Sequence, residues 1–223
     1  MKVEIWSDVV CPWCYIGKRH FEQALAAFPH RGEVEVVWRS FELDPGAPRV
    51  REGAYASRLA RKYGVAVDQA QAMIDRMTGT AASVGLDIRF DIAQPGNTFD
   101  AHRLIHLARE RGLQDAVKER FLAATFTEGR QIGDPATLVA LAGEAGLERD
   151  EAAAVLASDA FGEAVRADER EAVALGTTGV PFFVIDRALG IAGAQPPATL
   201  RQALERAWAA QPGTAQPGAA QPV

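Results

Sequence analysis

Cysteine is scarce in this sequence: only Cys11 and Cys14 occur among 223 residues. Two cysteines are too few for the several bridges that hold small secreted proteins together. A structural zinc ion needs four ligands, and neither a second cysteine pair nor a suitable histidine pattern accompanies these two. We therefore expect no disulfide scaffold, no bound metal and no resident cofactor.

Long apolar runs and runs of basic residues are missing as well. No apolar stretch approaches the roughly 18–20 residues needed to span a bilayer. The formal net charge is −5 with Lys and Arg scattered among acids, which argues against nucleic acid or membrane surfaces as partners. Asp8 interrupts the apolar start, and signal-peptide cleavage about 15–30 residues in would remove both cysteines. The sequence therefore predicts a cytoplasmic protein.

The two ends of the chain carry patterns typical of an α/β fold. The N-terminal part predicts β-α-β, and right-handed crossover makes its two strands parallel neighbours. The C-terminal part predicts a β-hairpin followed by a helix. By apolar periodicity and β-branched content, these elements cover residues 3–6, 14–28, 33–41, 180–185, 189–192 and 196–210.

The middle of the chain predicts helices without a convincing strand, and many of them end at glycine, the residue favoured at helix C-caps. The predicted helices are residues 55–63, 68–84, 100–111, 113–127, a helix capped by Asp134 and ending near Gly146, and 150–175 with a break at Gly162. We therefore assign residues 1–48 and 177–210 to one α/β domain and residues 49–176 to a large all-helical insertion. Residues 211–223, rich in Pro, Gly, Ala and Gln, are predicted to be disordered.

The Cys11-Pro12-Trp13-Cys14 motif lies where the first strand meets the first helix. Unpaired N–H groups and the helix dipole stabilise an anion at a helix N-terminus, and such sites lower a thiol pKa from near 8.5 to about 3.5–7.5. Pro12 suits the first turn because its missing N–H would have no partner there. Cys14 is close enough to attack a mixed disulfide at Cys11. We expect Cys11 to be exposed and acidic, and Cys14 to be more buried.

Other interpretations of these residues stay open. The two cysteines also fit half of a zinc site or two inert core positions. Asp8, three residues before Cys11, fits either a cap for the turn after the strand or a proton acceptor for Cys14. Trp13 fits either a substrate contact or a cover over the dithiol.

Two sets of motifs resemble a known superfamily. The CPWC motif after a strand, the long helical insertion, and Thr178-Gly179-Val180-Pro181 before the hairpin resemble DsbA-like proteins of the thioredoxin fold. Within that superfamily, SDVVCPWCYIGKRHFEQAL and NTFDAHRLIHLA are most similar to FrnE-type cytoplasmic dithiol–disulfide oxidoreductases. The resemblance covers about residues 1–210.

The resemblance implies roles for particular residues. Cys11 would be the attacking thiol and Cys14 the resolving thiol. Val180-Pro181 is similar to the family's cis-proline loop, which faces the cysteines and, with Pro12 and Trp13, would bind substrate. Two further residues, Asn97 and His102, would line a cleft over the site. Their alternative roles are a helix cap for Asn97 and an ordinary helix-face position for His102, four residues before His106.

The leading functional hypothesis is a thiol–disulfide oxidoreductase or isomerase acting on protein or small-molecule thiols and disulfides, with glutathione as redox partner or co-substrate. A second hypothesis is a glutathione-dependent isomerase or transferase related to 2-hydroxychromene-2-carboxylate isomerase and the kappa class, with a role in small-molecule metabolism such as polyketide formation. Those enzymes carry serine where this chain has Cys11. A third is a chaperone-like binding module in which the cysteines are secondary.

Overall fold

The computed structural model describes residues 1–211. Four strands and nine helices make up this part of the chain, with a short 3₁₀ turn at Arg31–Glu33. In chain order they are β1 (Lys2–Ser7), α1 (Pro12–Ala26), β2 (Glu35–Ser40), α2 (Tyr55–Tyr63), α3 (Val67–Ser83), α4 (Phe99–Glu110), α5 (Gln114–Phe126), α6 (Pro135–Glu144), α7 (Arg149–Leu156), α8 (Gly162–Ala174), β3 (Phe182–Ile185), β4 (Leu189–Ala192) and α9 (Pro197–Ala209).

The strands form one mixed sheet in the order β2-β1-β3-β4. β1 runs parallel to β2 and antiparallel to β3, so that Ile5 lies opposite both Trp38 and Phe183. β3 and β4 form the antiparallel hairpin. The predicted α/β fold with a small mixed sheet and helices between its two halves is confirmed.

Strand β1 determines where the Cys11–Cys14 motif lies in the fold. Five of the six β1 residues are buried, so β1 runs through the interior between its neighbours. After Ser7 the chain makes a tight turn, closed by the Cys11 N–H donating to the Asp8 carbonyl at 3.3 Å, and enters α1 at Pro12. The two cysteines therefore lie just beyond the C-terminal end of a central strand, where the chain enters α1.

One hydrophobic cluster joins the sheet to the helices of the middle region. It contains Ile5 and Trp38 from the sheet together with Leu104, Phe121 and Leu141 from α4, α5 and α6. The division of the chain into a separate insertion and an α/β domain stays a prediction. No helix within residues 1–211 is long and apolar enough to cross a membrane.

The break predicted at Gly162 is confirmed, whereas the start of β3 differs from the sequence-based expectation. The stretch 150–175 is two helices, because the chain leaves α7 at Leu156 and turns through Phe161 with φ 61° before Gly162 begins α8. β3 begins at Phe182 instead of Val180, since Pro181 has no N–H for a sheet ladder. The predicted disordered tail, apart from Gln211, lies outside the described residues.

Candidate active site

Cys11 is the N-cap residue of α1, with extended backbone angles (φ −99°, ψ 113°), and Pro12 occupies the first helical position. The N–H groups of Cys14 and Tyr15 both point to the Cys11 carbonyl, at 3.0 and 3.4 Å. The start of α1 carries no acidic residue in its first turn that would offset the partial positive charge of the helix end. The helix therefore favours a negative charge at the dithiol.

Both cysteines are free thiols and both are buried, Cys11 at 4% and Cys14 at 1% exposure. The expectation of an exposed Cys11 is therefore wrong. The physical reason is the Val180 carbonyl, which accepts a hydrogen bond from the Cys11 thiol at 3.6 Å and covers it. Trp13, between the cysteines, points outward and is 42% exposed.

The two thiols titrate as a pair. Burial raises the pKa of Cys14, but the hydrogen bond from Cys11 and the charge of Lys118 bring it below the ordinary value. The pKa of Cys11 is raised well above its ordinary value by the hydrogen bond to Cys14, by burial and by the charge that Cys14 then carries. Because the two sulfurs titrate together, the first deprotonation belongs to the pair, and the role of Cys11 as the acidic thiol stays a prediction.

The Val180–Pro181 loop closes the other side of the dithiol, and its peptide bond is cis. Pro181 is buried and lies against Gly17, one turn after Cys14 in α1. A Cβ at Gly17 would come within 2.7 Å of the Pro181 Cγ. Sequence reasoning missed Gly17; a glycine in the interior of a predicted helix was the only available signal.

Asn97 lies at the start of α4 and makes local contacts. Its Oδ1 accepts the Phe99 N–H at 3.0 Å, and its backbone N–H donates to the Pro48 carbonyl at 3.0 Å. Its side-chain amide donates to the Pro45 carbonyl at 3.3 Å. Of the two expectations for Asn97, these contacts fit the helix-capping one. They also hold the segment 45–48, which follows β2, against α4.

His102 is buried at 1% exposure, with its Nε2 3.4 Å from Asp8 Oδ1. Burial lowers the pKa of His102, although the Asp8 carboxylate opposes this. His106 lies one turn further along α4 and contacts Asp168 and the Ser40 hydroxyl, each at 3.1 Å. The two histidines therefore face the sheet, and His102 reaches the site through Asp8.

Asp8 is fully buried beneath the turn that leads to Cys11. Its Oδ2 accepts the Leu43 N–H at 2.8 Å, which ties this turn to the segment after β2. Burial raises the pKa of Asp8, but the neighbouring His102, the Leu43 N–H and the Lys118 charge lower it below the ordinary value. The side-chain contacts of Asp8 are with Leu43 and His102, so they join the turn to neighbouring segments, and both the capping and the proton-accepting role stay predictions.

Sequence reasoning also missed Lys118 of α5, which is 1% exposed and donates to the Ser7 carbonyl at 3.1 Å. Its position one residue after Val117 and three before Phe121, both fully buried, places it on the inner face of the helix. Lysine there would ordinarily be taken as a solvated residue. Within residues 1–211, no group of three or more His, Cys, Asp or Glu side chains is arranged to hold a metal ion.

The sequence also matches a protein-family model, described as "DSBA-like thioredoxin domain", over residues 2–205. The chain belongs to this family. The match confirms the resemblance to DsbA-like proteins and the thioredoxin fold that the sequence predicted. Assignment to the FrnE-type branch stays a prediction.

Three solved structures have a similar fold. A probable DsbA oxidoreductase from Streptomyces coelicolor is 52% identical, with a TM-score of 0.91 over 95% of this chain and 92% of that one. The cytosolic disulfide reductase DsbM of Pseudomonas aeruginosa, solved with GSH, is 20% identical, with a TM-score of 0.60 over 92% and 98% of the two chains. A 2-hydroxychromene-2-carboxylate isomerase is 15% identical, with a TM-score of 0.67 over 94% and 97%.

Proposed function

We propose that this DsbA-like protein is a thiol–disulfide oxidoreductase or isomerase in which Cys11 attacks and Cys14 resolves. The observation that carries the proposal is the geometry of the pair. The only two cysteines of the sequence are free thiols at the N-terminus of one helix, where they titrate as a pair. The first proton of such a pair dissociates more easily than that of a single thiol. The remaining proton can move between the two sulfurs.

Cys11 is the better placed of the two sulfurs for attack. It is the less buried and lies between the exposed Trp13 and the Val180 carbonyl. Loss of the Cys11 proton makes Cys11 the thiolate, and the helix N-terminus stabilises the charge there. A negative charge shared by the pair is therefore compatible with attack by Cys11.

The reaction transfers two electrons in two exchange steps. The Cys11 thiolate attacks one sulfur of a substrate disulfide, whose S–S bond breaks as the other sulfur leaves and takes up a proton. The Cys14 sulfur, as thiolate, then attacks Cys11, releases the second substrate thiol and forms the Cys11–Cys14 disulfide. Run in reverse, the same steps oxidise a substrate dithiol. Stopped at the mixed disulfide, they allow isomerisation.

Substrate is proposed to bind between Trp13 and the Val180–Pro181 loop. The half-buried Val180 lies beside Cys11, and its backbone offers an extended substrate segment an edge to pair with. Pro12 and Pro181 shape the walls of this approach. Asn97 and His102 are proposed to act indirectly. Asn97 holds the 45–48 segment in place, and His102 holds Asp8 in place.

Glutathione is proposed as the thiol that reduces the Cys11–Cys14 disulfide, since the cytosolic reductase DsbM was solved with GSH. This role fits the predicted cytoplasmic location. A glutathione-dependent isomerase would need only one cysteine. It would therefore keep turning over after Cys14→Ala, whereas dithiol exchange would stop.

Trapping of mixed disulfides tests the proposal. In Cys14→Ala the resolving step is absent, so we expect disulfide-linked adducts on Cys11 under mild oxidation, identified by non-reducing electrophoresis and mass spectrometry. Insulin reduction should be lost in Cys14→Ala and in Cys11→Ser. The matched control, Cys11→Ser with Cys14→Ala, should trap nothing.

Two results would contradict the proposal. Adducts on Cys14 in Cys11→Ser, with none on Cys11 in Cys14→Ala, would reverse the two roles. If neither single variant forms adducts and both retain full turnover in a glutathione-dependent isomerisation, that isomerisation would replace dithiol exchange as the function.

A further inference from the structure

Lys118 is a buried lysine without an acidic partner. Within residues 1–211 no carboxylate lies within 4.0 Å of its ammonium group, and its one hydrogen bond is to the Ser7 carbonyl. Lys18 of α1 provides a contrast. It is also about 2% exposed, but it pairs with Glu22, with Asp115 at 3.2 Å and with Glu119 at 3.0 Å. A buried cation is ordinarily paired, because transfer of a charge out of water costs several kcal/mol.

The packing of α5 on α1 fixes where Lys118 points. Glu119 of α5 accepts from the Tyr15 hydroxyl at 2.7 Å and pairs with Arg19, and Asp115 pairs with Lys18. These contacts form the outer side of the interface between α1 and α5. Lys118 extends from the inner side of α5 to the last residue of β1, directly before the turn that carries Asp8 and leads to Cys11.

The titratable groups that face the Lys118 ammonium come from the turn after β1, from α1 with its N-cap, and from α4. They are Asp8 from the turn after β1, Cys11, Cys14 and Lys18 from α1, and His102 from α4. Tyr55 of α2 faces Cys11 from the other side. Burial lowers the pKa of Lys118 to about 8, while the charges of Cys14, Asp8 and Cys11 oppose this. Asp8 is the one carboxylate among these groups, and it lies outside ion-pair distance of Lys118 in the described chain.

We infer that Lys118, delivered from the helical middle region, is a positioning residue that supplies the counter-charge for the thiolate of the Cys11–Cys14 pair. This inference rests on the proposed function. Reduction of the Cys11–Cys14 disulfide takes two electrons and one proton and leaves one thiol and one thiolate beside Lys118. The negative charge is present only in the reduced protein. Lys118 therefore stabilises the reduced form and makes the disulfide more oxidising.

The test compares Lys118→Met with Lys18→Met. Met keeps the length and apolar stem of lysine but removes the charge. In Lys118→Met we expect the first thiol pKa, measured from the ultraviolet absorbance of the thiolate against pH, to rise by about one unit or more. The equilibrium constant with a glutathione redox buffer should shift roughly tenfold or more toward the disulfide, since one pKa unit is a tenfold change.

Lys18→Met removes a buried charge of the same kind, which also lies about as close to the Trp38 ring, 5.9 Å against 5.7 Å for Lys118. It removes one partner each of Glu22, Asp115 and Glu119, and should lower thermal stability without raising the thiol pKa. Lys118→Arg, which keeps the charge, should restore part of the wild-type equilibrium. Equal thiol pKa values and equal redox equilibria in the wild type and Lys118→Met would overturn the inference.

A measurement on the wild-type protein removes any dependence on the folding of a variant. Lysine-labelled protein observed by NMR should show a lower Lys118 pKa in the disulfide form than in the dithiol form, because oxidation removes the counter-charge. The same Lys118 pKa in both forms would refute the inference. Thiolate titration and lysine NMR decide the role of Lys118, whereas adduct trapping decides the proposed function, so the two can fail separately.

Discussion

The absence of a side chain at position 17 lets α1 lie directly against the loop that covers the dithiol. Gly17 is buried, and its α-carbon faces the Pro181 ring. The same loop carries the Val180 carbonyl that contacts the Cys11 thiol. One small residue therefore sets the distance between the two parts of the candidate site.

Gly17→Ala is expected to push this loop away from Cys11. The new methyl group would lie 2.7 Å from the Pro181 Cγ, and overpacking of this kind costs about 1–3 kcal/mol. Displacement of a substrate-positioning group by about 1 Å can lower a rate roughly 100-fold, so insulin reduction should fall by at least about tenfold. Insulin turnover and chemical denaturation measure the two effects.

Gly79→Ala is the matched control, since Gly79 lies inside α3 with no atom within 4 Å of an added Cβ. It should raise stability by about 0.5–1 kcal/mol and leave insulin reduction unchanged. Equal insulin reduction in Gly17→Ala and the wild type would show that the helix and the loop are not coupled in this way.

At the scale of single elements, α6 shows how the middle region is held in place. Asp134 caps this helix, and its Oδ2 accepts the Thr137 N–H at 2.8 Å and the Thr137 hydroxyl at 2.7 Å. Leu138 and Leu141, one and two turns further on, are fully buried in the main hydrophobic cluster. The cap therefore fixes the start of a helix that contributes directly to the core.

Asp134→Ala is expected to lower the free energy of unfolding by about 1 kcal/mol, as loss of an N-cap acceptor does, while Asp134→Asn should cost much less. The hydrogen bonds from Thr137 lower the pKa of Asp134 below its ordinary value. The stabilisation is therefore fully present above the ordinary value and is lost as the pH falls through the lowered one. Urea unfolding at neutral and acid pH measures both effects, and equal stability of the three proteins at neutral pH would contradict the prediction.

At the scale of the whole molecule, the sheet and the helices of the middle region share buried contacts. The Trp38 N–H donates to the Gln114 side chain of α5 at 3.0 Å, and the Trp6 indole donates to the Asp168 carbonyl of α8 at 2.8 Å. Together with the common hydrophobic cluster, these contacts join residues far apart in the sequence. Neither part keeps its buried surface if the other unfolds.

The described chain is therefore expected to unfold in one cooperative transition. All four tryptophans, at positions 6, 13, 38 and 208, lie outside residues 49–176, so their fluorescence reports the α/β part. Far-UV circular dichroism is dominated by helices, of which α2 to α8 lie within 49–176. The two signals should give the same urea midpoint. Separate midpoints would show that the helical region is an independent domain.

The sequence by itself determined the local features. Alternation in β1, Pro12 after Cys11, the Asp134 cap and the hairpin pattern each depend on neighbouring residues, and they predicted the α/β fold and the strand-to-helix position of the dithiol. The break at Gly162 was also predicted, because glycine interrupts an otherwise helical pattern.

The tertiary structure alone decided the environment of the cysteines. Val180 covers Cys11 from 169 residues away in the sequence, and Lys118 reaches Ser7 across 111 residues. Burial and the field of distant charges set a thiol pKa, and neither leaves a periodic pattern in the neighbouring sequence. The motif therefore located the reactive pair, while the folded chain determined how deeply it is buried and which distant groups act on it.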